Sequence, residues 1–481
     1  MIEVIVNQAG FEYDIHSLVK AFFPGDEVSV RVQENFKEDT RLRMAVEFTR
    51  EKVKAELLED GSLKESRQCQ IHPEDRKGTK THLKQMIYRI LAAYTGQELP
   101  WGTLTGIRPV KIAMQLLEEG KSNAETAAYM RDVYLAGREK AALSVMIANR
   151  ERQVLQNIDY KDGYSLYVGI PFCPSTCLYC SFASYPLARW EDRMDEYLEA
   201  LFRELSYVAE QFGGRKLNTV YVGGGTPTTL SPGRLDRLLC RIRTDFDLSH
   251  VQEFTVEAGR PDSITREKLK VLLEHGIDRI SINPQTMKDE TLRVIGRRHT
   301  VEQTKAAYAL AREMGFSHIN MDLIVGLPGE EYEDVEHTMQ EITALAPDSV
   351  TVHSLAIKRA ARLNLFREKY EEMGLHNNMQ IMDMTARYCA QMELYPYYLY
   401  RQKNMAGNFE NVGYAKANRA GIYNILMMEE KQDIAACGAG TISKRVYPDG
   451  RIERCENVKD VSQYIERIGE MIERKRVLLE D

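Results

Sequence analysis

Cys173, Cys177 and Cys180 stand in the run Tyr-Val-Gly-Ile-Pro-Phe-Cys-Pro-Ser-Thr-Cys-Leu-Tyr-Cys, a C-x3-C-x2-C pattern. Three thiolates this close in sequence can hold three corners of a cubane iron–sulfur cluster. Such clusters normally take four cysteines, so a set of three leaves one iron open to a small molecule. A structural zinc site needs four nitrogen or sulfur ligands. No matching C-x2-C or H-x3-H pair follows, and Cys240, Cys389, Cys437 and Cys455 stand singly. Eight cysteines in 481 residues, with no secretory leader, fit a reducing cytosol better than a disulfide framework. A cytoplasmic location is expected.

Other groups that can do chemistry recur at the ends of predicted strands. Gly223-Gly224-Gly225-Thr226-Pro227 follows one strand, and glycines there let backbone approach a ligand closely. Glu257 ends the next. Gln285 and Arg297 follow a further one, and Asp322 sits inside the apolar run Met-Asp-Leu-Ile-Val. A carboxylate in such a run is costly to bury unless partnered. Taken singly, each has an ordinary explanation: a turn, a helix cap, a core ion pair. Their joint placement after successive strands is what those explanations miss.

The elements that must position these groups form three regions. Residues 1–160 open with strand patterns at Glu3–Val6, Glu27–Val32 and Met44–Phe48. Helical patterns follow at His82–Tyr94 and Ala124–Leu135. Between the helices lies a turn-rich segment around Arg108, a candidate anion contact. This region is expected to be an α+β domain of unknown role. Residues 161–360 alternate six strands with amphipathic helices. The strands are Leu166–Pro171, Thr219–Gly223, Glu253–Glu257, Arg279–Asn283, Ile319–Val325 and Ser349–His353. The helices are Asp195–Phe212, Arg234–Phe246, Arg266–His275, Val301–Met314 and Tyr332–Leu345. Right-handed crossovers then imply a parallel sheet curled into a partial (β/α)6 barrel. In such folds the chemistry lies at the C-terminal strand edge, where the cysteine run falls. Residues 361–481 are expected to form a mixed C-terminal domain, closed by a helix from Val461 to about Leu479. The fold class is therefore α/β.

Composition narrows the function classes. A formal charge of −7 gives no dominant nucleic-acid surface. No apolar stretch approaches the roughly 20 residues needed to cross a bilayer. The oligomeric state is not legible.

Over residues 164–360 these motifs resemble the radical S-adenosylmethionine (SAM) superfamily, and within it the oxygen-independent coproporphyrinogen III dehydrogenase family. The segments Leu-Thr-Gly-Ile-Arg-Pro and Tyr-Arg-Gln-Lys-Asn-Met-Ala-Gly-Asn-Phe-Glu-Asn-Val-Gly-Tyr are similar to its HemZ branch. The resemblance implies that Cys173, Cys177 and Cys180 ligate a [4Fe–4S] cluster whose fourth iron takes the amino and carboxylate groups of SAM. Gly224, Gly225 and Thr226 would meet its methionine part, and Arg297 would pair with a carboxylate. Glu257, Gln285 and Asp322 would hold ribose hydroxyls or the amino group. Tyr167, Tyr179 and Ala356 would flank adenine. One or two SAM molecules fit this description.

The implied chemistry is reductive cleavage of SAM to methionine and a 5′-deoxyadenosyl radical. That radical abstracts a propionate hydrogen, and loss of carbon dioxide and one more electron leaves a vinyl group. Twice over, this is oxidative decarboxylation of coproporphyrinogen III to protoporphyrinogen IX in heme (porphyrin) biosynthesis. A small electron-donor protein of the flavodoxin or ferredoxin kind is the expected partner. Arg298, Lys358, Arg359, Arg362, Arg401 and Lys403 are candidate cations for the substrate's four carboxylates. At least one of the clusters Lys358–Arg362 and Arg401–Lys403 is expected at the barrel mouth. Tyrosines and phenylalanines in Tyr395–Tyr423 are candidates for stacking on the macrocycle. One departure matters. Phe182 occupies the position where best-matched members carry a fourth cysteine, a loss shared with relatives that look like heme chaperones. Besides the dehydrogenase, a heme carrier without decarboxylase activity and another tetrapyrrole-directed radical SAM enzyme, such as a heme-opening methyltransferase, therefore stand as alternatives. Cys437, beside Gly438-Ala439-Gly440, has no assigned chemistry.

Overall fold

The computed structural model describes residues 1–33, 36, 40–72, 74–106, 108–182, 184–356, 363, 373–402 and 409–480. The chain divides into two compact units, Met1–Ala148 with Tyr400–Glu410, and Asn149–Leu399 with Asn411–Asp481.

In the first unit, described strands β1 (Ile2–Val6), β2 (Val28–Val32), β3 (Leu42–Phe48), β4 (Lys52–Glu59) and β5 (Ser62–Gln70) form a sheet in the order β2-β1-β3-β4-β5. The β4–β5 hairpin went unpredicted because β5 reads SLKESRQCQ, polar on both faces. Helices α1 (Glu12–Phe22) and α2 (Arg76–Thr95) bury Ile15, Leu18, Leu83 and Ile87 with Val4, Met44 and Val46. Helices α3 (Pro109–Glu118) and α4 (Asn123–Tyr134) follow, and α5 (Arg138–Leu155) begins in this unit and continues past Ala148; Arg108 is the N-cap residue of α3.

The second unit is built on β6 (Gly163–Ile170), β7 (Phe172–Cys173), β8 (Tyr185–Pro186), β9 (Lys216–Gly224), β10 (Glu253–Glu257), β11 (Arg279–Ser281), β12 (His318–Val325) and β13 (Ser349–Ser354). Strands β6, β9, β10, β11, β12 and β13 are neighbours in that order, every pair parallel. This is the expected six-stranded barrel sheet. Its strands read as near-continuous apolar runs, as strands covered on both faces do. The covering helices are α6 (Met194–Phe212), α7 (Pro232–Asp245), α8 (Arg266–Glu274), α9 (Asp289–Val294), α10 (Val301–Met314) and α11 (Tyr332–Leu345). On α6 the buried Tyr197, Leu201, Leu205, Val208 and Phe212 recur at helical spacing. Caps set the helix starts. Ser231 precedes Pro232 on α7, Thr265 caps α8, and Thr300 with Gln303 forms a capping box on α10.

Residues beyond 360 extend this same sheet. Strands β14 (Tyr395–Tyr400) and β15 (Asn411–Ala415) continue it beyond β13, where β15 runs antiparallel. Strand β16 (Asp433–Cys437) adds parallel to β6 at the other end, followed by β17 (Ile442–Val446) and β18 (Ile452–Glu456). The last helical stretch is broken at Arg467 into Val461–Glu466 and Ile468–Glu480.

Behind the turn that leaves β16 lies a fully buried ion pair. Lys475 Nζ is 2.6 Å from Glu204 Oε1. Glu204 also accepts hydrogen bonds from Tyr464 Oη, Asn457 Nδ2 and the Gly438 amide at 2.5, 2.7 and 2.7 Å. Cys437 is fully buried there, and burial pushes its thiol far above the ordinary range. It sits as a packing residue.

Candidate functional site

The cysteine run leaves the C-terminal end of β6. Cys173 belongs to β7, which pairs in parallel with β8. The run is pinned from several sides. Leu178 donates its amide to Ile295 O at 2.9 Å, and Ser175 Oγ donates to Gly296 O at 2.8 Å. Arg260, buried just past β10, donates to Ser175 O and Oγ at 3.2 and 3.1 Å. Its Nη1 lies 3.8 Å from Cys177 Sγ, and Asp262 anchors its other edge at 3.0 Å. The three cysteines are thiols, not disulfides. Burial pushes the Cys173 thiol up to about 12, against the opposing Thr226 hydroxyl, and Cys180 and Cys177 push it further the same way. All three lie within the eight residues Cys173–Cys180, just past the end of β6.

The glycine turn meets that locus. Gly225 N donates to Ile170 O and Thr226 N to Phe172 O, both at 2.8 Å, and Thr226 Oγ1 donates to Cys173 Sγ at 3.5 Å. Gly224 has φ +103°, a conformation that glycine adopts without a Cβ penalty. A Cβ at Gly225 would lie 2.6 Å from Phe172 O and 2.8 Å from Ile170 O, both backbone atoms. Gly225→Ala must therefore shift the turn away from the cysteine strand. SAM binding, read by isothermal titration on cluster-loaded protein, is expected to weaken by roughly tenfold or more, about 1.4 kcal/mol. Unchanged affinity would show that the turn plays no part in the site.

The remaining expected residues gather round the same strand ends. Glu257 closes β10 and accepts from Tyr221 Oη at 2.5 Å. Burial raises its carboxyl to about 7, the Tyr221 hydrogen bond opposes this, and Asp322 adds to it. Asp322, on β12, accepts from Asn320 Nδ2 at 2.7 Å and faces His353 Nε2 at 3.8 Å. Burial alone would raise it, yet His353, Asn320 and Thr351 hold it below the usual range. Gln285 bridges β12 with φ 68°, its amide on Asp322 O and its carbonyl taking the Ile324 amide, both at 2.9 Å. A non-glycine residue rarely holds that backbone conformation. Its buried Oε1 has no partner among the described residues.

Arg297 is 6% exposed. It donates to Asn283 O and lies against the Tyr179 phenol and the Cys177 thiol. Among the described residues it has no carboxylate partner, and its Nε is buried without a hydrogen bond. Tyr167 stacks in a trio with Tyr221 and Tyr423, centroids 6.0, 6.1 and 4.6 Å apart. Ala356 lies two residues past the end of β13 and is half-buried. Sequence reasoning did not single out Arg260, Tyr221, Asn283 or His353. An arginine two places after the Ala258 that follows a strand-end glutamate was the visible signal for the first.

The proposed substrate cations fare differently. Arg298 is exposed. Arg401 is buried inside the first unit, donating to Leu104 O at 2.5 Å with its guanidinium 5.5 Å from the Trp101 ring centroid, so it is a packing residue there. Lys358, Arg359, Arg362 and Lys403 lie outside the described residues. The aromatics of Tyr395–Tyr423 mostly pack: Tyr397 and Tyr398 are buried against each other at 4.8 Å, and Tyr423 joins the trio.

The donor set suits a three-cysteine cluster with SAM beside it. Three thiols stand on one short loop, a glycine turn abuts the first of them, and among the described residues a buried guanidinium nitrogen of Arg297 and the Gln285 amide oxygen have no hydrogen-bond partner. The Radical SAM superfamily profile matches residues 167–342. Over 409 residues the chain is 41% identical to the oxygen-independent coproporphyrinogen-III oxidase-like protein HemZ of Bacillus subtilis, covering 84% of this chain and 82% of that one. The chain belongs to the radical SAM superfamily, in its HemZ-like branch. It is also 33% identical to heme chaperone HemW of B. subtilis, over 64% of this chain and 76% of that one. Coproporphyrinogen III oxidase (HemN) of Escherichia coli superposes with a TM-score of 0.53 at 24% identity, over 67% of this chain and 73% of that one, which shows the shared fold. Members of this superfamily use a [4Fe–4S] cluster and SAM. No described helix is long and apolar enough to cross a membrane.

Proposed function

We propose that this radical SAM protein turns over a tetrapyrrole, and that its reaction is the oxidative decarboxylation of coproporphyrinogen III to protoporphyrinogen IX. The observation that carries the reading is the buried Arg297 guanidinium, which lies beside Cys177 and has no carboxylate partner among the described residues. A site prepared for an amino-acid cosubstrate next to three cysteines is what a SAM-cleaving enzyme requires. The name of the 41% identical relative supports the choice of tetrapyrrole.

When bound, the cluster and SAM supply one-electron sulfonium cleavage and hydrogen abstraction from carbon. The chain's own part is placement. Cys173, Cys177 and Cys180 hold the iron. Arg297 pairs with the SAM carboxylate, and Gly224, Gly225 and Thr226 line the methionine part. Glu257, Gln285 and Asp322 accept from ribose hydroxyls or the amino group. Tyr167, Tyr179 and Ala356 border adenine.

Glu257 accepts best when ionised. SAM affinity is therefore expected to be full above pH 7 and to fall as pH drops through about 7, where the carboxyl gains its proton. Tyr221→Phe removes the donor that favours the carboxylate, so the midpoint should move upward. A midpoint that Tyr221→Phe leaves in place would refute this role.

The reading as a whole is tested by anaerobic incubation of cluster-loaded protein with reductant, SAM and coproporphyrinogen III. Protoporphyrinogen IX is the expected product by chromatography. A heme-carrier reading is favoured by the HemW likeness and by Phe182. Stoichiometric heme binding without SAM cleavage would replace the first reading with it, and a methylated linear tetrapyrrole would replace both.

A further inference from the structure

Outside the barrel mouth, three metal-ligating side chains of different chemistry converge on the helical face. Asp236 and Cys240 lie one turn apart on α7, and His275 caps the C-terminal end of α8. His275 Nε2 is 2.8 Å from Asp236 Oδ1. Cys240 Sγ is 3.9 Å from both that nitrogen and that oxygen. The donor atoms thus lie within 4.8 Å of one another. Arg243 Nη1 fixes the turn from behind by donating to His275 O at 2.8 Å.

A surface ion pair tying α7 to α8 would account for Asp236 and His275, but not for the thiol. A nucleophile relay does not account for it either. In a relay the acid and the thiol take opposite ring nitrogens, with the imidazole between them. Here both address the same Nε2, so the three groups point at a common centre rather than along a chain. Zinc–ligand bonds of about 2.0–2.3 Å in tetrahedral array put neighbouring donor atoms roughly 3.3–3.7 Å apart. The observed edges fall within about half an ångström of that range. One carboxylate and one thiolate balance the two charges of the ion, and a neutral imidazole completes three ligands.

We propose that Asp236, Cys240 and His275 form a zinc site that staples α7 to α8, with water as fourth ligand. It is separate from the three cysteines of the barrel mouth and independent of the reaction assigned there. Zinc displaces the thiol proton, so apparent affinity rises with pH. Binding only the folded state, zinc also raises the unfolding temperature.

The test uses cluster-loaded protein, so that Cys173, Cys177 and Cys180 are occupied by iron. Zinc chloride is added anaerobically, the protein is desalted, and iron and zinc are both counted. One zinc per chain is expected, with one sulfur in its shell by X-ray absorption. Cys240→Ser, at an exposed position, and His275→Gln, whose side chain is 11% exposed, should each lower zinc affinity at least tenfold while leaving iron content and SAM cleavage unchanged. They should also abolish the zinc-dependent rise in Tm. Failure of the native protein to retain zinc, or equal retention by both variants, would overturn the site whatever the fate of the catalytic reading.

Discussion

Cys177→Ala is expected to lose its iron and, with it, all detectable 5′-deoxyadenosine formation from SAM. Cys177 is the sulfur most enclosed by protein. It is buried, and both Arg260 and Arg297 direct guanidinium groups at it. Two remaining thiols cannot hold a cubane that already has one open corner. The two arginines would then face a methyl group in a buried space, which removes the hydrogen-bonding acceptor they share. The contrasting variant is Phe182→Cys. Phe182 is 69% exposed, turned to solvent two residues beyond Cys180. A thiol installed there should leave the iron count and the spectrum as they were. Iron analysis and electron paramagnetic resonance of both proteins decide the matter. Full iron in Cys177→Ala would dissolve the three-sulfur assignment.

Lys475→Met is expected to lower folding stability by about 3–5 kcal/mol, because it strands the Glu204 carboxylate where water cannot reach it. Tyr464, Asn457 and the Gly438 amide still donate to that carboxylate, but none of them carries the compensating charge. The paired replacement Glu204→Gln with Lys475→Met removes both charges and should recover a large part of the loss. Thermal unfolding of the three proteins under identical anaerobic conditions measures this. A loss below about 1 kcal/mol for Lys475→Met would show that the pair does not carry this share of the folding energy.

The barrel was legible because its strands and helices carry different periods. Strand β10 and helices α10 and α11 fall on their predicted bounds, and the other barrel strands differ by a few residues at their ends. Short apolar runs bounded by capping residues leave little room for another reading. The site was legible to the extent that chemistry follows strand ends: Glu257, Gln285 and Asp322 each sit where β–α alternation puts them. What escaped was set by long-range packing. Arg260 gained its importance from reaching back to Ser175 and Cys177, more than 80 positions earlier. Tyr221 looks like any strand tyrosine until Glu257 lies beside its hydroxyl. Residues beyond 360 read as a region of their own because their loops are long, yet β15 and β16 pair with the two outer strands of the barrel. Arg401 read as a candidate cation for the substrate's carboxylates because charge alone does not reveal burial against Trp101.

The seam between β6 and β16 has a consequence for biogenesis. Gln432 Nε2 donates to Ser165 Oγ across 267 positions of chain. The strand that launches the cysteine loop therefore keeps one unpaired edge throughout most of translation. Non-local pairings of this span form slowly and late, and an uncovered edge in the meantime is open to aggregation. Iron delivery to the nascent protein should accordingly follow release from the ribosome. Chains halted before residue 433 should depend on chaperones to stay dispersed.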